Sequence, residues 1–293
     1  MIGKHKNYGI IMKEVFKNIV KSFSRIFVSI LSSNKIGRFI IEIMINGLMN
    51  RVMKINHKGI HMRFMVPNAL NRFRVGTFST KEPETLKWLD SLPEGCTLWD
   101  IGANIGLYSV YAVKKKKCRV IAFEPSVFNL ELLARNIFLN EIKDYVTIIP
   151  IALSDNLGSN FMRLTTTKWG GAESSFGKNF GWDGKKINQE FTFQTMGCTL
   201  DQAVDLLHLP QPSYIKMDVD GVEHIILNKG SKVLKKIQGI LVEINDNFIR
   251  QKKQSRIALE EAGLTLVEKN QLGRLEGSRP SLQNVYNQIW KRI

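Results

Sequence analysis

Between Thr97 and Ile149, short apolar runs alternate with segments whose apolar residues recur every three or four positions. The runs read as strands over 97–101, 119–124 and 145–150, and the segments between them as helices over 106–116 and 126–139. Alternation of this kind predicts a parallel sheet with helices on both faces. Upstream, residues 51–78 predict a hairpin that turns at Lys58-Gly59 and closes at Val66-Pro67-Asn68. Residues 82–92 predict a helix, with Thr80 as its N-cap and Pro93 as its stop. Downstream, strands are expected over 190–196, 214–218, 239–244, 264–268 and 285–290, with helices over 201–207, 221–227 and 255–262. Residues 165–189 are rich in Gly, Lys, Asn and Ser and have no clear period.

The first 50 residues have a different texture. Val15, Phe16, Ile19, Val20, Phe23, Ile26 and Phe27 form one apolar face, while Lys13, Lys17, Lys21 and Arg25 recur at helical spacing. A basic amphipathic helix suits packing on the following domain, pairing in a homodimer, or peripheral contact with an anionic membrane. Packing or pairing is the expectation, and membrane contact the alternative. Phe39 to Met49 is interrupted by Glu42 and Asn46, and falls short of the roughly 20 apolar residues that span a bilayer. Ile26 to Leu31 is too short for a signal-peptide core. The expectation is therefore a cytoplasmic chain, with the inner membrane surface as a peripheral location. Its organisation reads as an extension over 1–50 and one domain over 51–293, with a core over 82–245.

Composition narrows the picture. At 44% hydrophobic residues the chain can bury a core and is not disordered. Cys96, Cys118 and Cys198 form no Cys-x-x-Cys and suggest neither a zinc site nor a disulfide framework. The net charge of +16 fits nucleic acid, an anionic membrane or an acidic substrate. No nucleic-acid motif accompanies it, so no nucleic-acid partner is expected. The run Lys114 to Lys117 reads as a solvated helix end favoured by the dipole.

The most informative segment is Asp100-Ile101-Gly102-Ala103-Asn104-Ile105-Gly106, which joins the first strand of the sheet to a helix. Gly102 and Gly106 permit a sharp turn and a close ligand. Such sheets bind ligands at the carboxyl ends of their strands. The next strand ends in Phe123-Glu124-Pro125, which offers a carboxylate to ribose hydroxyls. Dinucleotide enzymes need Gly-x-Gly-x-x-Gly for a pyrophosphate, whereas this chain has Gly-x-x-x-Gly with Asn104 at the second position. Asp100 beside the turn would repel a pyrophosphate and attract an ammonium or a sulfonium. S-adenosyl-L-methionine meets that requirement.

These residues, with Asn129, Asn136, Ile151-Ala152-Leu153-Ser154-Asp155, Lys216-Met217-Asp218-Val219-Asp220-Gly221-Val222-Glu223 and Leu241-Val242-Glu243-Ile244, resemble the FkbM family of S-adenosylmethionine-dependent methyltransferases. The resemblance implies an α/β, class I methyltransferase, Rossmann-like fold. Its seven-stranded, mostly parallel sheet would carry helices on both faces, here with an N-terminal helical extension. It also implies O-methylation of a sugar, glycan or related metabolite, as in the synthesis of a surface polysaccharide.

On this reading Asp100, Gly102, Ala103, Asn104 and Gly106 surround the methionine end, and Glu124 and Pro125 the ribose. The resemblance adds Ser154 and Asp155 near the adenine, and sets 216–224 beside the methyl group. Strand alternation would point Lys216, Asp218 and Asp220 to one side. Asp218 is the expected base or acceptor-orienting group, as well as a cofactor contact. Lys216 would tune it or hold an anion, and His224 is an alternative base. Glu223 reads as a helix N-terminal cap. Trp169, in a glycine-hinged lid over 169–175, is an expected substrate contact, with Asp220, Glu243 and Asn245. Asp218, Asp220 and Glu243 carry oxygens suited to Mg²⁺, but no metal is predicted. Two other readings stay open. One is a non-catalytic basic binding protein on this scaffold, the other a nicotinamide-dependent oxidoreductase.

Overall fold

The computed structural model describes residues 2–271 and 284–293, and side chains from Val15 onward. They fall into two compact units, Met1–Arg51 and Val52–Ile293. The first is helical, with α1 (Ile2–Ser32) and α2 (Lys35–Met49). Asn34 caps α2 by accepting from the Gly37 amide.

The second unit opens with the hairpin β1 (Val52–His57) and β2 (Ile60–Met65), turning at Lys58-Gly59, both in left-handed backbone. The hairpin is shorter than the sequence suggests, because Asn68 accepts from the Asn71 amide and starts α3 (Ala69–Gly76). A single turn, α4 (Phe78–Lys81), and α5 (Pro83–Ser91) follow. Glu82 rather than Thr80 precedes α5, since Pro83 occupies its first position and the Thr80 hydroxyl is spent on Thr77.

Then come β3 (Thr97–Ile101), α6 (Leu107–Lys116), β4 (Arg119–Phe123), α7 (Val127–Leu139) and β5 (Val146–Ile149). Lys114, Lys115 and Lys116 close α6, where cations complement the helix dipole. A second group of strands contains β6 (Ala152–Leu153), β7 (Gly158–Leu164), β8 (Ser175–Phe176) and β9 (Phe191–Cys198). The chain finishes with α8 (Leu200–Asp205), β10 (Tyr214–Met217), α9 (Glu223–Leu227), α10 (Ser231–Leu234), β11 (Gly239–Asn245), α11 (Ile249–Glu261), β12 (Thr265–Gln271) and β13 (Val285–Lys291).

The main sheet has seven strands in the order β12-β13-β11-β10-β3-β4-β5, and only β13 runs against its neighbours. This is the class I methyltransferase topology. Strand order reverses between β3 and β10, where a crevice opens at the carboxyl ends. Alternation buries both faces: Leu98, Val120 and Ala122 join one core, while Trp99, Ile101, Ile121 and Phe123 join the other. The same parallel register sets Cys96 beside Cys118, as thiols with Sγ atoms 3.2 Å apart.

A four-stranded sheet, β6-β9-β7-β8, escapes the sequence reading almost entirely. Only β9 has a recognisable run there. β7 begins at Gly158 and mixes polar with apolar residues, because only Met162 and Leu164 reach a core. Likewise, α11 starts six residues before its expected position, since its first turns are almost wholly polar and exposed.

Two asparagines fasten the hairpin to α7. Asn136 is fully buried, accepts from the Met65 amide at 2.8 Å and donates to the Ile105 carbonyl at 2.8 Å. Asn140 accepts from the Arg63 amide and donates to the Arg63 carbonyl. Asn136→Leu strands two buried backbone groups and should destabilise the protein by about 3 kcal/mol, at unchanged m, in urea titration. A loss of under about 1 kcal/mol would show that water replaces the amide.

Candidate active site

The crevice is organised by a contact between two strand ends. β10 pairs with β3 in parallel, and the Asp218 amide donates to the Ile101 carbonyl at 3.0 Å. The amides of Gly102 and Ala103 both reach the Phe123 carbonyl at 3.0 Å, which closes the turn against β4. Gly102 has φ +81°, and a Cβ there would stand 1.9 Å from the Asp218 carbonyl oxygen. Gly106, also at φ +81°, does a different job. A Cβ there would meet the Leu133 side chain at 2.5 Å, so it sets the packing of α6 on α7 rather than lining the crevice.

Two cavities flank this turn and share Gly102, Asn104 and Asp218. The first is a cleft whose empty volume, open solvent included, is about 560 Å³. Its polar wall is Glu124, Asp218 and Asp220, with Pro125 beside Glu124, and its apolar floor comes from Ile151, Ala152, Leu153, Met162 and Phe176. The Glu124 carboxylate accepts from the amides of Asn104 and Ser126, each at 2.8 Å. Burial nevertheless pushes its pKa up to about 7. Burial and the neighbouring Asp218 do the same to Asp220.

The second cavity has an empty volume of about 500 Å³ and is lined by Arg74, Lys81, Glu82, Ala103, Tyr108 and Lys216, with the shared turn. Buried Glu82 holds the Lys81 ammonium and accepts from the Tyr108 hydroxyl at 2.8 Å. Burial acts to raise the Glu82 carboxyl, but Lys81, Lys216 and the Tyr108 hydroxyl together outweigh it and the pKa falls. Arg74 donates through Nε to the Gly170 carbonyl at 2.8 Å. Its terminal nitrogens make no hydrogen bond among the described residues. Nothing in the strand and helix periods marked Arg74, Lys81, Glu82 or Tyr108. They belong to short helices and helix ends, and the hairpin reading had absorbed Arg74.

The sequence-predicted residues divide between these cavities and places outside them. Alternation brings Asp100 and Lys216 side by side in the β3–β10 register, on the same buried face. Asp100 is thereby shut behind the turn. It accepts from Ser109 Oγ at 2.6 Å and lies 3.7 Å from Lys216 Nζ, lining neither cavity. Lys216 is buried over the Tyr108 ring, 3.5 Å from Asp218. Burial lowers its pKa, but Asp218 and Asp100 raise it further, so it stays a cation. Asp220 faces the first cavity with Asp218, though not by alternation. β10 ends at Met217, and Asp220 sits at φ +58°, accepting from the Glu173 and Ser174 amides.

The remaining residues lie elsewhere. Ser154 and Asp155 do not line the cleft: Ser154 donates to Asp155, and Asp155 pairs with Lys178 at 2.7 Å. Ala152 and Leu153 line it instead. Trp169 is no open platform. Its ring packs on the core and its indole N–H donates to Glu131 at 3.1 Å. Glu243 and Asn245 line neither cavity, and Asn245 instead donates to the Trp182 carbonyl at 3.1 Å. His224 is fully buried, stacked on Phe180 beside Phe248 and outside both cavities. Burial pushes its pKa down to about 4, which suits a neutral core ring rather than a base. Glu223 does not cap α9, whose N-cap is Val222 with no side-chain bond; it opens the helix and accepts from the Val219 and Gly221 amides of the preceding loop, fastening that loop instead. Among the described residues no group of three His, Cys, Asp or Glu is placed to hold a metal.

Comparison with known proteins resolves the class of this site. The sequence profile described as the methyltransferase FkbM domain matches residues 100–268. The chain belongs to the FkbM methyltransferase family. A relative, the hexuronic acid methyltransferase AglP of Haloferax volcanii, is 24% identical over 189 residues, 64% of this chain and 72% of its own. Methyltransferase sdnD of Sordaria araneosa is 36% identical over 70 residues, 24% of this chain and 27% of its own. Among solved structures, an S-adenosylmethionine-bound fibrillarin from Aeropyrum pernix covers 83% of each chain at 10% identity, with TM-score 0.45. A putative S-adenosylmethionine-dependent methyltransferase from Streptococcus mutans covers 82% of this chain and 55% of its own at 12% identity, with TM-score 0.47. As an FkbM methyltransferase the protein uses S-adenosylmethionine, which sets the nicotinamide reading aside.

The Gly102 contact is testable without ligand. Gly59 has φ +83° but open space around it. Gly59→Ala should cost about 1–2 kcal/mol for the backbone alone. Gly102→Ala should cost that plus about 1–3 kcal/mol for the clash. Equal thermal midpoints for the two variants would show that the strand ends can part freely.

Proposed function

We propose that this methyltransferase transfers its methyl group to a hydroxyl of a sugar or glycan-like acceptor. The observation that carries the proposal is the pair of cavities meeting at Asp218, one with an apolar floor and a carboxylate, the other bearing both charges. The residues fit S-adenosylmethionine. Glu124 would receive the ribose hydroxyls, and Ala152, Leu153, Met162 and Phe176 would pack the adenine. Gly102 would let the ligand lie against the turn. In the second cavity Glu82 and Asp218 would face the ammonium, and the free end of Arg74 the carboxylate. When bound, the cofactor supplies a methyl group already activated on a cationic sulfur. Asp218, the acid common to both cavities, would orient the acceptor hydroxyl and take its proton. Lys216 would hold Asp218 in place, and Asp220 would brace the 173–174 backbone beside it. The hexuronic acid relative supports a sugar-type acceptor.

Calorimetry with S-adenosylhomocysteine tests the grip. Glu124→Ala should weaken binding by about 10²-fold, for two hydrogen bonds to a charged group. The pH dependence has a definite sign. Ribose hydroxyls donate to the ionised carboxylate, whose pKa of about 7 in the free protein requires a proton to leave. Affinity should therefore climb roughly tenfold from pH 6 to pH 8 and stay flat in Glu124→Gln. A wild-type affinity independent of pH removes Glu124 from the ribose.

Transfer of labelled methyl to uronate- and hexose-containing glycans tests the acceptor class. At saturating cofactor, Asp218→Asn should lower kcat by about 10²-fold or more. Recovery of kcat on saturation would leave Asp218 a binding role alone. Methylation of nitrogen or carbon, with every glycan inert, would overturn the sugar assignment.

A further inference from the structure

The N-terminal unit has helices but almost no interior. Among its described side chains α2 buries only Gly37, and α1 buries none. Phe16, Phe23, Ile30 and Phe39 are each more than 60% exposed. On α1 the apolar residues from Val15 to Leu31 fill one continuous arc, Val28 excepted, while Lys17, Lys21 and Arg25 lie on the complementary arc. Residues 1–51 contain nine Lys or Arg against two Glu. No described helix is long and apolar enough to cross a membrane.

We infer that α1 and α2 form a docking element for an anionic lipid bilayer surface, lying in the headgroup plane. Charge complementarity selects that occupant. A second copy offering the same face would oppose its own surplus of cations, whereas acidic headgroups neutralise it and acyl chains cover the phenylalanines. The charge run and the apolar arc, otherwise two unrelated oddities, then serve one contact.

Co-sedimentation of the full chain with lipid vesicles tests this. The protein should pellet with phosphatidylglycerol-containing vesicles, stay in solution with pure phosphatidylcholine, and be released by high salt. Reversing Lys17, Lys21 and Arg25 to Glu should weaken partition by at least about tenfold. Phe23→Asp with Phe27→Asp should abolish it, while both variants keep wild-type affinity for S-adenosylhomocysteine as proof of a folded site. Equal partition onto neutral and anionic vesicles, or none onto either, overturns the inference. So does a stable dimer in buffer, by light scattering, that Phe23→Asp dissociates, because the arc would then belong to a second copy.

Discussion

The site depends on how closely two parallel strands approach at their carboxyl ends. Gly102 lies against the Asp218 carbonyl, and no other residue type fits there without moving one strand. That contact is the partition between the two cavities, and it fixes where Asn104 and Asp218 can face both. It also sets the order of events in the fold. The register of β3 with β10 must form before either cavity exists, so the recognition site is built from non-local pairing rather than from any one motif.

The same register creates the charge pattern. Lys216 and Asp100 become neighbours in the sheet interior, where an unpaired ion would be costly. Each carries the other, and Asp218 completes the pair from the crevice side. Beyond that triad, carboxylates predominate. Burial pushes Glu124, Asp220 and Glu223 up to about 7, and burial with Asp218 pushes Glu243 well above the ordinary carboxylate range. Within a chain of net charge +16, Glu223 and Glu243 lie outside both cavities, and Glu82 in the second stays ionised beside Lys81. The first cavity is thus lined by two carboxyls, Glu124 and Asp220, that burial holds against ionising. A ligand bearing a sulfonium and an ammonium stabilises their charged forms, whereas a pyrophosphate would oppose them. Asp100, the carboxylate that the sequence singled out, lines neither cavity, so the acids facing the crevice are others.

What the sequence revealed follows from which forces act locally. The strand–helix alternation from β3 to β5 was legible because both faces of those strands are apolar. Glu124 and the glycine turn were legible because strand ends and φ-positive turns impose strict residue types. Arg74, Lys81, Glu82 and Tyr108 were not, since all four come from short helices or helix ends that only tertiary packing brings to the crevice. Trp169, His224 and Asn245 misled for the complementary reason. Aromatic and amide side chains look functional in sequence, yet here Trp169 donates to the Glu131 carboxylate, His224 stacks on Phe180 and Asn245 donates to the Trp182 carbonyl.

The segment 169–175 shows how that satisfaction shapes function. Its glycines suggest hinges, but its backbone is tied at nearly every step. Asn68 and Asn71 donate to the Trp169 carbonyl, and Asn104 and Asn129 to the Gly171 carbonyl. Asn129 also accepts from the Gly170 amide, and Asp220 from those of Glu173 and Ser174. A loop without sheet partners must find its hydrogen bonds in side chains. Asparagine offers a donor and an acceptor on a short, stiff stem. Gly170 and Gly171 are thus explained by closeness rather than by motion. A Cβ at Gly170 would stand 2.2 Å from the Asn71 amide oxygen, and one at Gly171 would meet Thr166 at 2.8 Å. The segment supplies one wall of the first cavity through Gly171, Ala172 and Ser174. Asn104 belongs to the turn and to this wall at once, so the residue that departs from the dinucleotide fingerprint is the one whose side chain ties the turn to the Gly171 carbonyl.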